Sequence, residues 1–79
     1  MHNGNVRERL FATLQASFPD HPGEFTADLQ TENIAGWDSV AHVGLMVTLE
    51  EEFCIQFEDE EFVAFKTVEE LLSIISKKV

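Results

Sequence analysis

Apolar side chains recur at helical spacing in three parts of the chain. Val6, Leu10, Phe11, Leu14 and Phe18 trace one stripe, with Arg7, Arg9 and Gln15 off it, which predicts a first helix. Asn5 and Glu8 have capping-box spacing, with Asn in place of the usual Ser or Thr. Pro19 ends this helix, because proline disfavours helical geometry at the residue before it. Val40, Val43, Met46, Val47 and Phe53 mark a second helix over 39–53. Asp38 is its expected N-cap, so Ser39 falls in the first turn. Gly44 in its middle costs roughly 1 kcal/mol against alanine, which weakens the helix without breaking it. Val68, Leu71, Leu72 and Ile75 mark the last helix. Thr67 and Glu70 open it as a capping box, and Lys77 and Lys78 lie at its C-terminus, where positive charge is favoured.

The segments between these stripes carry turn chemistry. Residues 19–38 form a long connection containing Pro19, Pro22, Gly23 and Gly36. A structureless loop of that length is unusual in so small a domain. Phe25, Leu29, Ile34 and Trp37 are therefore expected to tack it onto the helices, with a turn of helix around Ala27 to Gln30. Cys54 to Phe57 reads as a short extended link with Ile55 and Phe57 turned inward. The segment from Glu58 to Phe65 is acidic and then apolar, with Asp59 as expected N-cap and Phe62, Val63 and Phe65 as expected buried positions. Residues 1–4 are polar and expected to fray. The sum is an all-α chain, a small four-helix bundle of three main helices and one short one with a long first loop. A single domain over 1–79 is expected.

Composition narrows the function. Seventy-nine residues lie near the lower limit for one self-sufficient core, and 44% hydrophobic residues are enough to build it. Fifteen acidic residues against five basic ones give a formal net charge of −10. That balance argues against nucleic-acid phosphates and anionic membrane surfaces and favours partners with basic patches. The single cysteine, Cys54, rules out an internal disulfide, and three scattered histidines show no metal-ligand spacing. No apolar run approaches the roughly 20 residues of a membrane span, and no signal-peptide pattern opens the chain, so a cytoplasmic location is expected.

Ser39 is the first candidate for chemistry. A serine in a helix's first turn lies near backbone N–H groups without intrahelical partners, a favourable seat for a phosphate attached through the hydroxyl. Serine is also common there simply because it caps. His42 lies one turn later, but a Ser–His dyad would lack a third group to orient the imidazole and a nucleophile elbow around the serine. His42 is thus expected to sit near Ser39 by chance on an exposed helix. Glu50, Glu51 and Glu52 stand near the C-terminus of the second helix, where the dipole disfavours them, so solvation or partner contact has to account for them. The calcium-loop spacing of an EF-hand is missing from both this run and the one from Glu58 to Glu61. Cys54 is expected to be a small, partly buried residue at a helix end. The seven phenylalanines are expected to form core.

Gly36-Trp37-Asp38-Ser39-Val40, followed by Leu49-Glu50-Glu51-Glu52-Phe53-Cys54-Ile55, resembles the acyl carrier proteins. Their pattern is Asp-Ser-Leu, a helix, then an acidic triplet with Phe-Gly-Ile. The resemblance runs from about Val6 to Lys77 and is strongest between Gly36 and Phe57. It implies a 4′-phosphopantetheine arm on Ser39, taken from coenzyme A by a phosphopantetheinyl transferase, whose thiol holds an acyl group as a thioester. It further implies that Asp38 helps hold magnesium during transfer and that the second helix docks acyl-loading and acyl-transferring enzymes through basic patches. The partner face would comprise Val40, Val43, Glu50, Glu51 and Glu52. The chain itself would be a monomeric carrier that catalyses nothing and holds no resident metal. Asp before the serine is closer to acyl carriers than to peptidyl carriers, where histidine often stands. Ala41, Gly44 and Cys54 depart from the pattern: the first two occupy positions that are often acidic, the third a position that is usually glycine. The cargo stays open among a fatty acyl group, a polyketide unit, a sugar-modifying acyl group and an amino acid. The alternative is a non-carrier acidic helical domain that binds a basic partner protein.

Overall fold

The computed structural model describes residues 5–79. Helix α1 spans Asn5–Ser17, α2 spans Ser39–Phe53 and α3 spans Val68–Lys78, with short 3-10 turns at Thr31–Asn33 and Asp59–Val63. The expected fraying of residues 1–4 lies outside what is described, and Asn5, expected as the cap of a capping box with Glu8, is already the first helical residue of α1. Both α2 and α3 pack against α1. Val6, Leu10, Leu14 and Phe18 of the first stripe are all buried, as their spacing requires. The Phe18 N–H still bonds to the Leu14 carbonyl at 2.9 Å, and the chain then leaves the helix at Pro19.

The long connection is strapped down through its backbone. Thr31 N–H donates to the Lys66 carbonyl at 2.9 Å, Val68 N–H to Leu29 at 3.0 Å and Glu69 N–H to Ala27 at 2.7 Å. The loop thereby pairs with the entry to α3, and these bonds satisfy backbone groups that helices elsewhere satisfy internally. The expected helical turn at Ala27 to Gln30 is instead a tight turn at 27–28, with the 3-10 turn falling at Thr31–Asn33. Phe25 and Ile34 anchor the loop in the core, with Leu29 and Trp37 packed on its edge.

Helix α2 corrects the sequence reading. Its buried side chains are Leu45, Met46, Leu49 and Phe53. Val40, Val43 and Val47, which mark the helical period with Met46 and Phe53 in the sequence, face solvent at 80%, 53% and 45% exposure, so the period mixes two faces of the helix. Both sets have helical spacing, so periodicity alone does not choose between them. The larger side chains bury more apolar area and take the core side.

Three smaller expectations also change. The second 3-10 turn is capped by Glu58 and not Asp59. Glu58 N–H bonds to the Glu61 carboxylate at 2.7 Å, and that carboxylate also pairs with Lys78 of α3 at 2.9 Å. Val63 is 79% exposed where burial was expected, while Phe65 is buried and Phe62 half-buried. At α3 the Thr67 hydroxyl accepts from Glu70 N–H, but the Glu70 carboxylate reaches one residue further back, to Lys66 N–H at 2.7 Å. Among the described residues no helix is long and apolar enough to cross a membrane.

Candidate functional site at the start of α2

Gly36 makes the approach to α2 possible. Its φ of +90° lies in the left-handed region that favours glycine, and the turn it allows returns Trp37 to the body of the protein. The indole stacks on Phe18 with centroids 5.0 Å apart and planes 11° apart, and meets the edge of Phe65 at 6.3 Å. Asp38 follows in extended conformation, and its Oδ1 accepts from Ala41 N–H at 2.8 Å. This is the expected N-cap, and it leaves Ser39 as the first helical residue, exposed. The amides of Ser39 and Val40 precede any intrahelical acceptor, so the free N–H groups and the positive end of the helix dipole stand beside the hydroxyl.

Ser39 and Asp38 line an open cleft of about 580 Å³, together with Trp37, His42, Phe62 and Phe65. Phe65, a buried core residue, forms part of this lining, so the cleft lies against the edge of the core. Val43 also lines it, and with Val40 and Val47 it forms an exposed apolar stripe along α2. The structure therefore brings Ser39, Asp38, Val40 and Val43 to one end of the helix and leaves the acidic triplet at the other.

That triplet divides by role. Glu50 is half-buried and its Oε2 accepts from Phe57 N–H at 2.9 Å, which fixes the link after the helix. Glu52 pairs with Arg9 of α1 at 3.0 Å, and the Arg9 guanidinium also donates to the Glu52 carbonyl and covers the Phe53 ring at 4.5 Å. Among the described residues the Glu51 side chain makes no hydrogen bond or ion pair, and the residue is exposed. Two of the three glutamates thus have duties in the fold.

Cys54 is exposed and not partly buried. It is the C-cap of α2 in left-handed conformation, φ 56° and ψ 47°, and among the described residues no other non-glycine residue has positive φ. Glycine adopts that geometry without steric cost, which explains the glycine of the resembled pattern in physical terms.

His42 is the residue whose role the sequence reading missed. It is half-buried, not exposed. Trp37 Nε1–H donates to its Nδ1 at 3.1 Å, its Nε2 meets the Phe62 carbonyl, and its ring stacks on Phe65 with centroids 5.6 Å apart. Indole is a donor only, so Nδ1 is the acceptor and Nε2 carries the proton. Both ring nitrogens are engaged, and neither is available to act on the serine. A signal was present: His42 stands three, four, seven and eleven positions before Leu45, Met46, Leu49 and Phe53, on the true inner stripe of α2. Among the described residues no group of His, Cys, Asp or Glu is placed to hold a metal ion.

No protein-family model matches the chain. An acyl carrier protein from Thermosynechococcus vestitus is 29% identical over 79 residues, covering all of this chain and 98% of the relative. The solution structure of the holo acyl carrier protein from Geobacter metallireducens superposes with a TM-score of 0.81 at 28% identity, covering 94% of this chain and 85% of that one. These likenesses support the acyl carrier protein family for this chain. The bundle matches the acyl carrier fold, and carrier function has the same support. The start of α2, with Ser39 exposed behind the Asp38 cap, is the candidate site of this bundle.

Proposed function

We propose that Ser39 is the attachment point of a 4′-phosphopantetheine arm and that this chain carries acyl groups on it. The observation that carries the reading is the exposed hydroxyl at the first position of α2, directly after the Asp38 cap and open to the cleft. The residues fit the group. The Ser39 oxygen is free to attack the pantetheine-side phosphorus of coenzyme A, giving up its proton to the transferase as the pyrophosphate P–O bond breaks and adenosine 3′,5′-bisphosphate leaves; it ends as a phosphodiester, an anion that the adjoining amides and helix dipole favour. The arm supplies a terminal thiol that holds the acyl group as a thioester. Asp38 has one carboxylate oxygen committed to the cap, while the side chain as a whole is exposed and can meet the transferase's magnesium. The chain has no catalytic part in this: activation of the serine belongs to the transferase, since His42 is fully engaged elsewhere.

Val40, Val43 and Val47 present an apolar stripe beside the arm, and Glu51 adds an exposed charge further along the same helix. Transferases and acyl-handling enzymes with basic patches are the partners this face suits, and encounter with them falls as salt is added. The chain acts as one monomeric carrier domain over 1–79, and its likeness to acyl carrier proteins fits a cytoplasmic place.

Incubation with a transferase, magnesium and coenzyme A tests the reading by intact mass. The wild type gains one phosphopantetheine and Ser39→Ala gains none. No gain on folded wild type with several transferases overturns it and leaves the acidic interaction domain.

A further inference from the structure

We propose that the arm on Ser39 lies along the body of the protein, in a groove that leads from the cleft to a polar pocket between the long connection and the entry to α3. This pocket, of about 290 Å³, is lined by Gln30, Thr31, Glu32 and Lys66. Thr31 and Glu32 also line the cleft that contains Ser39, and Phe65 on the cleft wall is followed in the chain by Lys66. Cleft and pocket are thus adjoining parts of one groove, with Ser39 in the first part and Lys66 in the second. The inference rests on the carrier reading and adds to it the residues that hold the arm.

The lining changes along the groove in the order in which the chemistry changes along the arm. At Ser39 the free amides of α2 suit the phosphate. Trp37, Val43 and Phe65 then offer apolar surface, and the next part of the arm is its dimethyl-bearing carbon. Past Thr31 and Glu32 the lining side chains are all polar, and the arm carries its amides there. A secondary amide accepts through its carbonyl and donates through its N–H. Lys66 and Gln30 supply donors for the carbonyls, while the Glu32 carboxylate and the Thr31 hydroxyl supply acceptors for the N–H groups. Among the described residues none of these four side chains makes another hydrogen bond or ion pair. Glu32 and Lys66 carry opposite charges, so the pocket favours a neutral polar group over a carboxylate or an ammonium, either of which meets a like charge there. The backbone around the pocket is already held. Thr31 N–H donates to the Lys66 carbonyl at 2.9 Å, Lys66 N–H donates to the Glu70 carboxylate at 2.7 Å, and Gln30 faces Thr67 in an antiparallel bridge. Docking therefore orders only the arm and a few side chains, which keeps its entropic cost low.

The experiment is NMR of isotope-labelled protein before and after a transferase loads it from unlabelled coenzyme A, with intact mass recording the load. Isotope-filtered NOEs then report contacts between arm and chain alone. The methyl groups of the arm are expected to show NOEs to Trp37 and Val43, and the protons beside its amides to Thr31 and Lys66. The backbone amides of Thr31, Glu32 and Lys66 shift on loading together with those of Ser39 and Val40. The double variant Gln30→Ala with Lys66→Ala keeps the backbone bonds around the pocket. It is expected to gain the same mass as the wild type and to lose the NOEs at Thr31 and the shifts at Thr31 and Glu32. Loaded wild type whose shifts stop at the first turn of α2, or whose NOEs stop at Trp37 and Val43, overturns the proposal without need of any variant and leaves the carrier reading standing. A folded, loaded double variant that keeps the contacts at Thr31 overturns it as well. Wild type that takes up no arm from any transferase overturns both.

Discussion

Helices α2 and α3 use apolar residues in opposite ways. In α3 the core takes Val68, Leu71 and Ile75 and half-buries Leu72 and Ile74, while Glu69, Glu70 and Lys77 stay outside. Its amphipathic pattern is consumed by the fold. In α2 the core takes Leu45, Met46, Leu49 and Phe53, and three valines remain on the outside. The surplus apolar face has no use within the bundle, and it begins beside Ser39. An exposed apolar face of this kind fits the docking surface proposed above. Under that proposal the difference separates residues that hold the protein together from residues that let it be recognised.

Substitutions can break or sharpen that contrast. The largest effect belongs to α3: Leu71→Ala, at a fully buried position, should cost about 2–5 kcal/mol in a denaturant melt. A loss under about 0.5 kcal/mol, the range of ordinary surface changes, would contradict the burial assigned to it. On the outer face of α2, Val43→Ser should leave stability within about 0.5 kcal/mol. It should instead weaken transferase binding by roughly 1 kcal/mol, about fivefold, in an affinity measurement. A drop in melting temperature as large as that of Leu71→Ala would erase the distinction between the helices. Gly44→Ala should raise stability by about 0.5–1 kcal/mol, since no heavy atom lies within 4 Å of the added methyl. If that variant gains stability but loses partner affinity, Gly44 belongs to the contact face as well.

The smallest effect is electrostatic and sits at the second 3-10 turn. The Glu58 backbone N–H, and secondly Lys78, hold the Glu61 carboxyl below the usual carboxylate range. Folding lowers this pKa, so the contribution is present above the ordinary carboxylate range and is lost as pH falls through the lowered value. Glu61→Gln should therefore flatten the acid limb of a melting-temperature profile below about pH 4.3 and weaken the link to α3. An unchanged acid limb would show that the turn is held by packing alone.

Much of this was legible in the chain because local rules coincided. Asp38 and Thr67 are strong caps in front of apolar periods, and both helices start where those caps place them. Pro19 and the first stripe defined α1 in the same way. The inner face of α2 was harder, because valines and leucines alternate at compatible spacings and only three-dimensional volume decides which set goes in. His42 was overlooked for the same reason: on the valine stripe it points outward, and on the leucine stripe it points inward. Cys54 was misjudged because hydropathy says nothing of a left-handed cap, which is a matter of backbone angle. The duties of Glu50 and Glu52 depend on Phe57 and Arg9, partners that no helical pattern brings together.

The most direct test of the central claim is fragment mass mapping of the wild type after loading. Ser17, Ser73 and Ser76 are all exposed, as Ser39 is, so access alone does not choose among them. Ser17 ends α1, while Ser73 and Ser76 lie inside α3, and only Ser39 follows a capping aspartate at a helix start and opens onto the cleft. The account predicts the phosphopantetheine mass on the peptide that contains Ser39 and on no other. The same mass on a peptide containing Ser17, Ser73 or Ser76, with the Ser39 peptide unmodified, would contradict it.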